Sequence, residues 1–278
     1  MPRRARALPA ALLLAASGVI AAPAGAQGVL LELRPRAGDT LRLRLDQELE
    51  MVATQKVGGT DSSVTMGRKL TVFSRSIAQK ADALGATVVA VTDSMLVADP
   101  AGRTRRVGVP GARASLHIAP DGTTRVLDDG GVLTPEAAAL VAQMPATLPG
   151  RPVKPGATWS HTAAVPLPGQ PEGAATGTLT ATFRLDSLSR YGDVAHISMR
   201  GTLEQPKGGV SRGGRHYASS GTVVGVFQVD RRRGWLTSVR ATITTRSSVT
   251  RPGTDAPPMV VRTRVTQWLR ALAAVDKD

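Results

Sequence analysis

The 278-residue sequence contains no cysteine. This absence excludes disulfide bonds, metal sites built from thiolates and catalysis by a thiol nucleophile. It also argues against a bacterial lipoprotein anchor, which is attached to a cysteine just after the signal sequence. The stability of the folded chain must therefore come from side-chain packing and from hydrogen bonds between strands.

Aromatic residues are scarce as well, with three Trp, two Tyr and three Phe. Proteins that bind single-stranded nucleic acids stack the bases on aromatic side chains, and carbohydrate-binding proteins stack sugar rings in a similar way. An outer-membrane barrel needs girdles of aromatic residues at both membrane interfaces. The composition therefore predicts no nucleic-acid partner and no integral membrane protein.

Lysine is rare although the sequence is strongly basic, with 35 Lys and Arg residues against 21 Asp and Glu and a formal charge of +14. Such an excess can indicate an anionic partner. Only six of the basic residues are lysines, and this preference for arginine is typical of a GC-rich bacterial genome. Since the arginines are spread along the chain without one long cluster, the sequence does not predict a dedicated polyanion site.

Residues 1–26 have the three parts of a secretory signal peptide. Three arginines precede an apolar stretch at residues 8–20, and the small residues Ala24-Gly25-Ala26 precede Gln27. An N-terminal membrane anchor is the alternative, but the apolar stretch is short for a span and contains Pro9 and Gly18. We therefore predict cleavage near Ala26/Gln27 and a mature protein in the periplasm or outside the cell.

Most of the mature chain alternates between apolar and polar residues, as a half-buried antiparallel strand does. In 41–53 the apolar residues fall on one face, with Gln47 as the exception, and charged residues fall on the other. The same alternation recurs in 176–188, 235–250 and 259–270. Strands of this length must twist and coil. We therefore predict an all-β, mainly antiparallel fold: a curved sheet, a half-barrel or a barrel of long strands.

One short helix is predicted over residues 134–144. Thr134 suits the N-cap, Pro135 the first helical position and Glu136 the positive end of the helix dipole. This helix and the Pro/Gly-rich segment after it separate an N-terminal β-rich half, 27–150, from a C-terminal half, 151–278.

The two halves open on similar turns, which raises the hypothesis that they are related by duplication. Residues 34–41 and 153–159 each contain a basic residue, a proline, a glycine, a threonine and a large apolar residue in that order. Because strand–turn–strand segments often resemble one another by chance, the alternative of unrelated halves stays open. In either case we expect the two halves to form one domain.

The strongest catalytic motif is G-x-S-x-G at Gly209–Gly213, with Ser211 at its centre and His216 nearby. In serine hydrolases this motif works at a sharp turn between a strand and a helix. Here it lies in a glycine-rich stretch between two predicted strands, so we interpret the match as coincidence. We predict that the protein is not an enzyme and assign no catalytic residue.

No metal or cofactor is predicted either. None of the four histidines, His117, His161, His196 and His216, lies three or four residues from another, and no H-E-x-x-H motif occurs. Asp128-Asp129 precedes two glycines and is interpreted as a loop.

The densest basic spots are Arg103, Arg105 and Arg106, and the run 231–233. We interpret both as solvated charge on hairpins, with contact to phosphate-bearing lipid headgroups as the alternative.

Four motifs together resemble a family of exported bacterial β-rich proteins with no assigned function. They are R-x-G-D-T-L at 36–41, I-x-P-D-G-T-T-R-V at 118–126, L-P-x-x-P-V-K-P-G-A-T-W at 148–159 and G-V-F-Q-V-D-R-R-R-G-W-L at 225–236. The resemblance implies export and a curved antiparallel sheet, and it carries over no catalytic residue. The general shape is also similar to the half-barrels of periplasmic lipid and lipoprotein carriers, a likeness at the level of the fold alone.

The main functional hypothesis is a non-enzymatic envelope protein that binds a hydrophobic or lipid-like ligand on a concave apolar face, partly covered by the helix 134–144. The alternative is a structural or protein-interaction module with a filled core and no ligand pocket. The sequence identifies neither the ligand-binding residues, nor an envelope partner, nor the oligomeric state.

Overall fold

A computed structural model of the chain describes residues 28–108, 110–128, 130, 148–165, 177–205, 216–250, 253 and 257–273. The predicted signal peptide, the predicted helix 134–144 and the Ser211 motif lie outside these residues. The twelve strands are β1 Thr40–Val57, β2 Thr60–Asp82, β3 Gly85–Ala98, β4 Thr104–Val107, β5 Arg113–Ile118, β6 Thr124–Asp128, β7 Thr158–Val165, β8 Gly177–Ser189, β9 Val194–Glu204, β10 His216–Asp230, β11 Trp235–Thr250 and β12 Met259–Ala271.

All twelve strands belong to one antiparallel sheet. Its order is β6-β5-β3-β2-β1-β12-β11-β10-β9-β8-β7, and β4 pairs with β3 beside this path. The prediction of an all-β, mainly antiparallel fold is confirmed. Since the described strands β6 and β7 are the two edges of the sheet, it is a curved open sheet and not a closed barrel. Between β8 and β9 lies a short 3₁₀ helix, Arg190–Gly192.

The longest hairpin, β1–β2, turns on only two residues. Gly58 and Gly59 have φ angles of 58° and 86°, which a two-residue hairpin turn requires and which glycine adopts without a steric penalty. No longer loop separates the two strands, because Val57 already pairs with Thr60. The turn fixes the register of the whole hairpin.

The pairing of β1 with β12 joins two meanders. Leu45 lies opposite Leu269, and Leu49 lies opposite Val265. Strands β2–β6 follow on one side of this seam and β11–β7 on the other. The division at residue 150 and the relation between the halves remain predictions.

One short segment, 148–156, bridges distant parts of the sheet and requires it to curve. The Leu148 amide donates to the Asp121 carbonyl, after β5, at 2.6 Å, and the Gly156 amide donates to the Leu185 carbonyl of β8 at 2.6 Å. Eight inter-strand steps separate β5 from β8, which in a flat sheet is about 38 Å. The segment 148–156 spans at most about 30 Å when fully extended. The sheet is therefore curled toward this bridging segment.

The core lies on the concave face. Residues that are opposite one another in the register share a face, and the face carrying Leu45 and Phe183 is called the inner face here. Phe183 is fully buried, with Trp159 stacked on it at a centroid distance of 5.8 Å and an interplanar angle of 8°. Leu31 and Leu33 of the N-terminal segment pack into the same cluster. A second, smaller cluster surrounds Leu41, Ala78, Ala86, Val88 and Trp235.

Candidate functional site

The inner face is covered over one half of the sheet and partly open over the other. On β8–β12 its apolar residues, such as Phe183, Met199 and Val265, are mostly buried. On β1–β3 Leu41, Ala78 and Val97 are buried as well, but a group of apolar residues on the same face keeps part of its surface exposed to solvent. We call these residues the apolar strip: Leu45, Leu49, Met51, Met66, Leu70, Val72 and Met95.

The strip opens because the β1–β2 hairpin is longer than the strand beside it. The pairing of β3 with β2 begins only at Lys69, so the preceding residues of β2 have β1 as their one strand neighbour in the part of the chain that the structure describes. Met66 is 49% exposed, and Val64 and Val57 nearer the hairpin turn are more exposed still. The apolar strip therefore runs from the core out to an exposed hairpin.

Several polar side chains lie on this apolar face, and three of them, Gln47, Gln267 and Arg68, carry amide or guanidinium groups beside the strip. Gln47 lies opposite both Gln267 of β12 and Leu70 of β2, in the middle of the strip. Arg68 lies opposite Leu49 on the inner face and is exposed. Among the described residues Arg68 makes no ion pair, so its guanidinium can bind an anionic or carbonyl oxygen of a ligand.

The outer face carries a charged cluster centred on Asp46 of β1. Its carboxylate accepts hydrogen bonds from Arg44 Nη2 and from Thr71 Oγ1, both at 2.9 Å. Burial by itself raises the pKa of Asp46, but the hydrogen bonds from Arg44 and Thr71 and the charges of Arg44 and Arg270 outweigh it, so the pKa is lowered. This cluster ties β1 to β2, and nothing in it requires a ligand.

A shallow pocket lies near this cluster. It is mainly polar, and the Nε of its Arg75 donates to Asp93 Oδ1 at 2.9 Å. That ion pair neutralises Arg75, and Arg42 is the second arginine of the pocket. The pocket is lined by Arg42, Leu43, Phe73, Ser74, Arg75, Asp93 and Leu272.

Each of the four histidines lies on a different strand of the described sheet. His216 begins β10, is exposed and lies opposite Thr250. His196 Nε2 lies 2.8 Å from Ser189 Oγ. His161 is on β7 and His117 on β5. Within the described ranges no group of three or more His, Cys, Asp or Glu side chains could hold a metal ion.

The arginine run at 231–233 is a structural turn. The Arg231 guanidinium donates to the carbonyl of Gly192, Arg232 pairs with Asp193 at 3.7 Å, and Arg233 donates to the Thr40 carbonyl at 3.4 Å. Arg232 and Arg233 are exposed at the hairpin tip, as expected for solvated charge, whereas Arg231 is partly buried and ties the β10–β11 hairpin to its neighbours.

The other basic spot, at Arg103, Arg105 and Arg106, makes fewer contacts with the rest of the sheet. Arg103 pairs with Asp99 at 2.7 Å. Arg105 and Arg106 are exposed on β4, and neither makes an ion pair within the part of the chain that the structure covers. Asp128, interpreted as a loop residue, is instead the last residue of β6 and accepts a hydrogen bond from the Gly130 amide.

Sequence reasoning missed Arg68 and Gln267, although a signal for Arg68 was present. A two-residue turn at Gly58-Gly59 fixes the hairpin register, and that register places Arg68 opposite Leu49 on the apolar face. The sequence contains no comparable signal for Gln267, because its place opposite Gln47 follows only from the pairing of β12 with β1.

The described residues include no helix that is long and apolar enough to cross a membrane. No protein-family model matches the sequence, and no curated protein matches it. Two solved structures are similar over most of the chain. The outer membrane protein OprG from Pseudomonas aeruginosa has 7% identity and a TM-score of 0.21, covering 87% of this chain and 99% of its own. A DUF1329 family protein from Desulfovibrio piger has 13% identity and a TM-score of 0.14, covering 84% and 87%. TM-scores this low support no inference about function, so the candidate site is judged from its geometry alone.

Proposed function

We propose that this protein is an exported, non-enzymatic component of the bacterial cell envelope that holds a lipid-like amphiphile on the apolar strip of its inner face. One observation carries the proposal. On the concave face, where most apolar side chains of β8–β12 are buried, the residues of the apolar strip keep part of their surface in contact with solvent. Burying that surface under a ligand is favourable by about 25 cal/mol per Å².

The dimensions of the strip suit an acyl chain. From Leu45 to Met51 it extends along β1 for about 20 Å at ~3.4 Å per residue. One leaflet of a bilayer core, about half of ~30 Å, gives the length of a lipid chain. Leu70 and Val72 of β2 widen the strip, and Met51 and Met66 are unbranched side chains that adapt their shape to a flexible ligand.

The polar residues on the same face suit the other end of such a molecule. The Arg68 guanidinium can bind a carboxylate or phosphate through two parallel hydrogen bonds. Gln47 and Gln267 provide amide groups that can bond to ester or hydroxyl oxygens. An apolar surface with a few polar groups beside it is the usual composition of a small-molecule site. Export follows from the signal-like residues 1–26 and sets the envelope as the location.

The first experiment is to extract the purified mature chain with organic solvent and to analyse the extract by mass spectrometry, followed by titration of the delipidated protein with a fluorescent long-chain fatty acid. We expect co-purifying lipid and saturable uptake of the probe. A protein that contains no lipid and takes up no probe would favour the alternative, a structural or protein-interaction module.

A matched pair of variants locates the binding. Met66→Asn places an amide on the inner face, and Thr65→Asn places one on the outer face of the same strand. Removing one apolar contact should weaken probe binding about tenfold for Met66→Asn, which corresponds to ~1.4 kcal/mol. Thr65→Asn should bind as the parent protein does. Equal effects of the two substitutions would contradict binding on the inner face.

The polar end is tested with Arg68→Gln and, as its control, Arg200→Gln on the outer face. Arg68→Gln should weaken binding of the fatty acid more than binding of the corresponding uncharged fatty alcohol. If both probes lose affinity equally, Arg68 does not bind the head of the ligand.

A further inference from the structure

The outer face of β9–β12 gathers arginines that lie far apart in the sequence. We call this set the basic face: Arg200, Arg240, Arg246, Arg262 and Arg264. All five are exposed, and the described part of the chain offers none of them an ion pair. The pairings of β9 with β10, β10 with β11 and β11 with β12 place these residues on one continuous surface.

The sheet balances the charge on this surface only in part. Arg246 lies directly opposite Arg262, and like charges at directly opposed positions destabilise a sheet. Glu204 and Asp230 are the acidic residues on this face of strands β9–β12, and Asp230, the last residue of β10, accepts a hydrogen bond from the Arg233 amide. On the neighbouring β1, Glu48 is already paired with Lys69 at 2.9 Å, and Glu50 lies opposite Arg264. The surface therefore has the charge of a site for a multiply anionic partner.

Large apolar side chains are exposed among these arginines. Trp268 is 43% exposed and lies opposite Arg240 in the register, and Arg240 lies opposite the exposed Val226. Val224, also exposed, is opposite Arg200. The guanidinium of Arg270 lies 4.5 Å from the centre of the Trp268 ring. Trp, Arg and aliphatic residues therefore share one exposed surface.

This combination distinguishes a lipid surface from other polyanions. A nucleic acid or acidic glycan would use the guanidinium groups but would gain nothing from Val224 and Val226. Single-stranded nucleic acids also need several stacking rings, and Trp268 is the one aromatic ring on this surface. At a bilayer surface, arginines attract anionic headgroups and Trp resides at the level of the headgroups. We propose that the basic face docks on the surface of an anionic phospholipid bilayer, with Trp268, Val224 and Val226 in its interfacial layer.

The docking surface is on the opposite side of the sheet from the apolar strip and is independent of the ligand proposed for it. It can be measured with the mature chain and vesicles of phosphatidylcholine alone or with added phosphatidylglycerol. We expect co-sedimentation with the phosphatidylglycerol vesicles, a steep loss of binding as salt is raised, and little binding to phosphatidylcholine. Equal binding to both kinds of vesicle, or to neither, would overturn the proposal.

Two charge-matched double variants test the location. Arg246→Ser with Arg262→Ser removes two charges from the basic face, and Arg105→Ser with Arg106→Ser removes two from the exposed β4. We expect a loss of vesicle affinity of at least tenfold for the first and less than twofold for the second. Circular dichroism checks that both fold. Equal losses would mean that the total charge drives binding, and the proposed surface would be wrong.

Tryptophan fluorescence tests whether Trp268 enters the interfacial layer of the bilayer. Tryptophan emission of the parent protein should shift to the blue on addition of phosphatidylglycerol vesicles, and Trp268→Phe should abolish that shift because Trp159 and Trp235 pack against the core clusters. Binding to double-stranded DNA with equal or higher affinity at the same salt would contradict the choice of a lipid surface.

Discussion

Gly234 lies so close to the backbone of Arg34 that a Cβ atom on Gly234 would occupy the space of the Arg34 carbonyl group. Gly234 ends the turn of the β10–β11 hairpin, and Arg34 belongs to the N-terminal segment that crosses this end of the sheet. The Leu33 amide also donates to the Pro120 carbonyl, after β5, at 2.9 Å. The N-terminal segment thus contacts hairpins from both meanders. Its contact with the β10–β11 hairpin requires a residue without a side chain at position 234.

Gly234→Ala should therefore destabilise the protein strongly. The alanine would combine a positive φ of 67° with a clash against backbone that cannot move without displacing the segment. Gly38→Ala is the control, since φ is 88° there but no atom lies within 4 Å of the added Cβ. We expect losses of about 3 kcal/mol and about 1 kcal/mol in the free energy of unfolding. Urea denaturation measures both, and equal losses would contradict the close approach.

The N-terminal segment should contribute to stability through one face only. Leu31 is 1% exposed and Leu30 is 41% exposed. Leu31→Ala should cost about 2–5 kcal/mol through lost burial and the cavity that remains. Leu30→Ala should stay within about 0.5 kcal/mol of the parent. If thermal denaturation gave the two substitutions similar effects, the segment would not be packed on the core as the structure has it.

Asp46 should make stability depend on pH in the acid range. Its pKa is lowered by the hydrogen bonds from Arg44 and Thr71 and by the nearby arginine charges. A carboxyl group with a lowered folded-state pKa stabilises the protein above its unfolded pKa, about 3.9, and this contribution is lost as the pH falls through the folded value. Asp46→Asn should therefore be less stable than the parent at neutral pH, by about 1–2 kcal/mol, and the difference should shrink below about pH 4.

Asp61→Asn is the matched control for this titration, because Asp61 is exposed on the same hairpin and has no described hydrogen-bond partner for its side chain. Its unfolding curve should follow that of the parent protein at each pH. A difference between parent and Asp46→Asn that stayed constant from neutral to acid pH would show that the carboxylate charge is not what stabilises β1 against β2.

Arg246 should oppose folding slightly, because it lies opposite Arg262. Arg246→Thr should raise the free energy of unfolding by about 0.5 kcal/mol at low salt. The gain should decline as salt screens the repulsion. Chemical denaturation at two salt concentrations measures this difference. A gain that did not depend on salt would have to come from the strand propensity of threonine.

Much of the local structure could be predicted because the solvent-facing and core-facing residues alternate. The alternation predicted in 176–188, 235–250 and 259–270 corresponds to β8, β11 and β12. The turns predicted within 34–41 and 153–159 contain Gly38 and Gly156, and both glycines adopt positive φ. Trp159, which follows the second turn, stacks on Phe183.

The long-range arrangement could not be predicted in the same way. The residues around Leu45 do not specify that it pairs with Leu269, because many strands of this chain have a similar apolar face. The arginines of the basic face are separated by long stretches of sequence, and they meet only because the registers of four strands align them. For the same reason the exposed part of the inner face could not be located, because it depends on β2 extending beyond the end of β3.

The seam between β1 and β12 has a consequence for the order of folding. Leu45 and Leu269 are more than two hundred residues apart, so the entropy of closing that loop opposes their pairing until other contacts have already shortened it. As the chain emerges, each meander can form hairpins, but β1 cannot complete its pairing until β12, the last of the described strands, has followed. Until then the long edge of β1 is unpaired and open to other chains. We therefore expect refolding to be slow and its yield to fall with protein concentration.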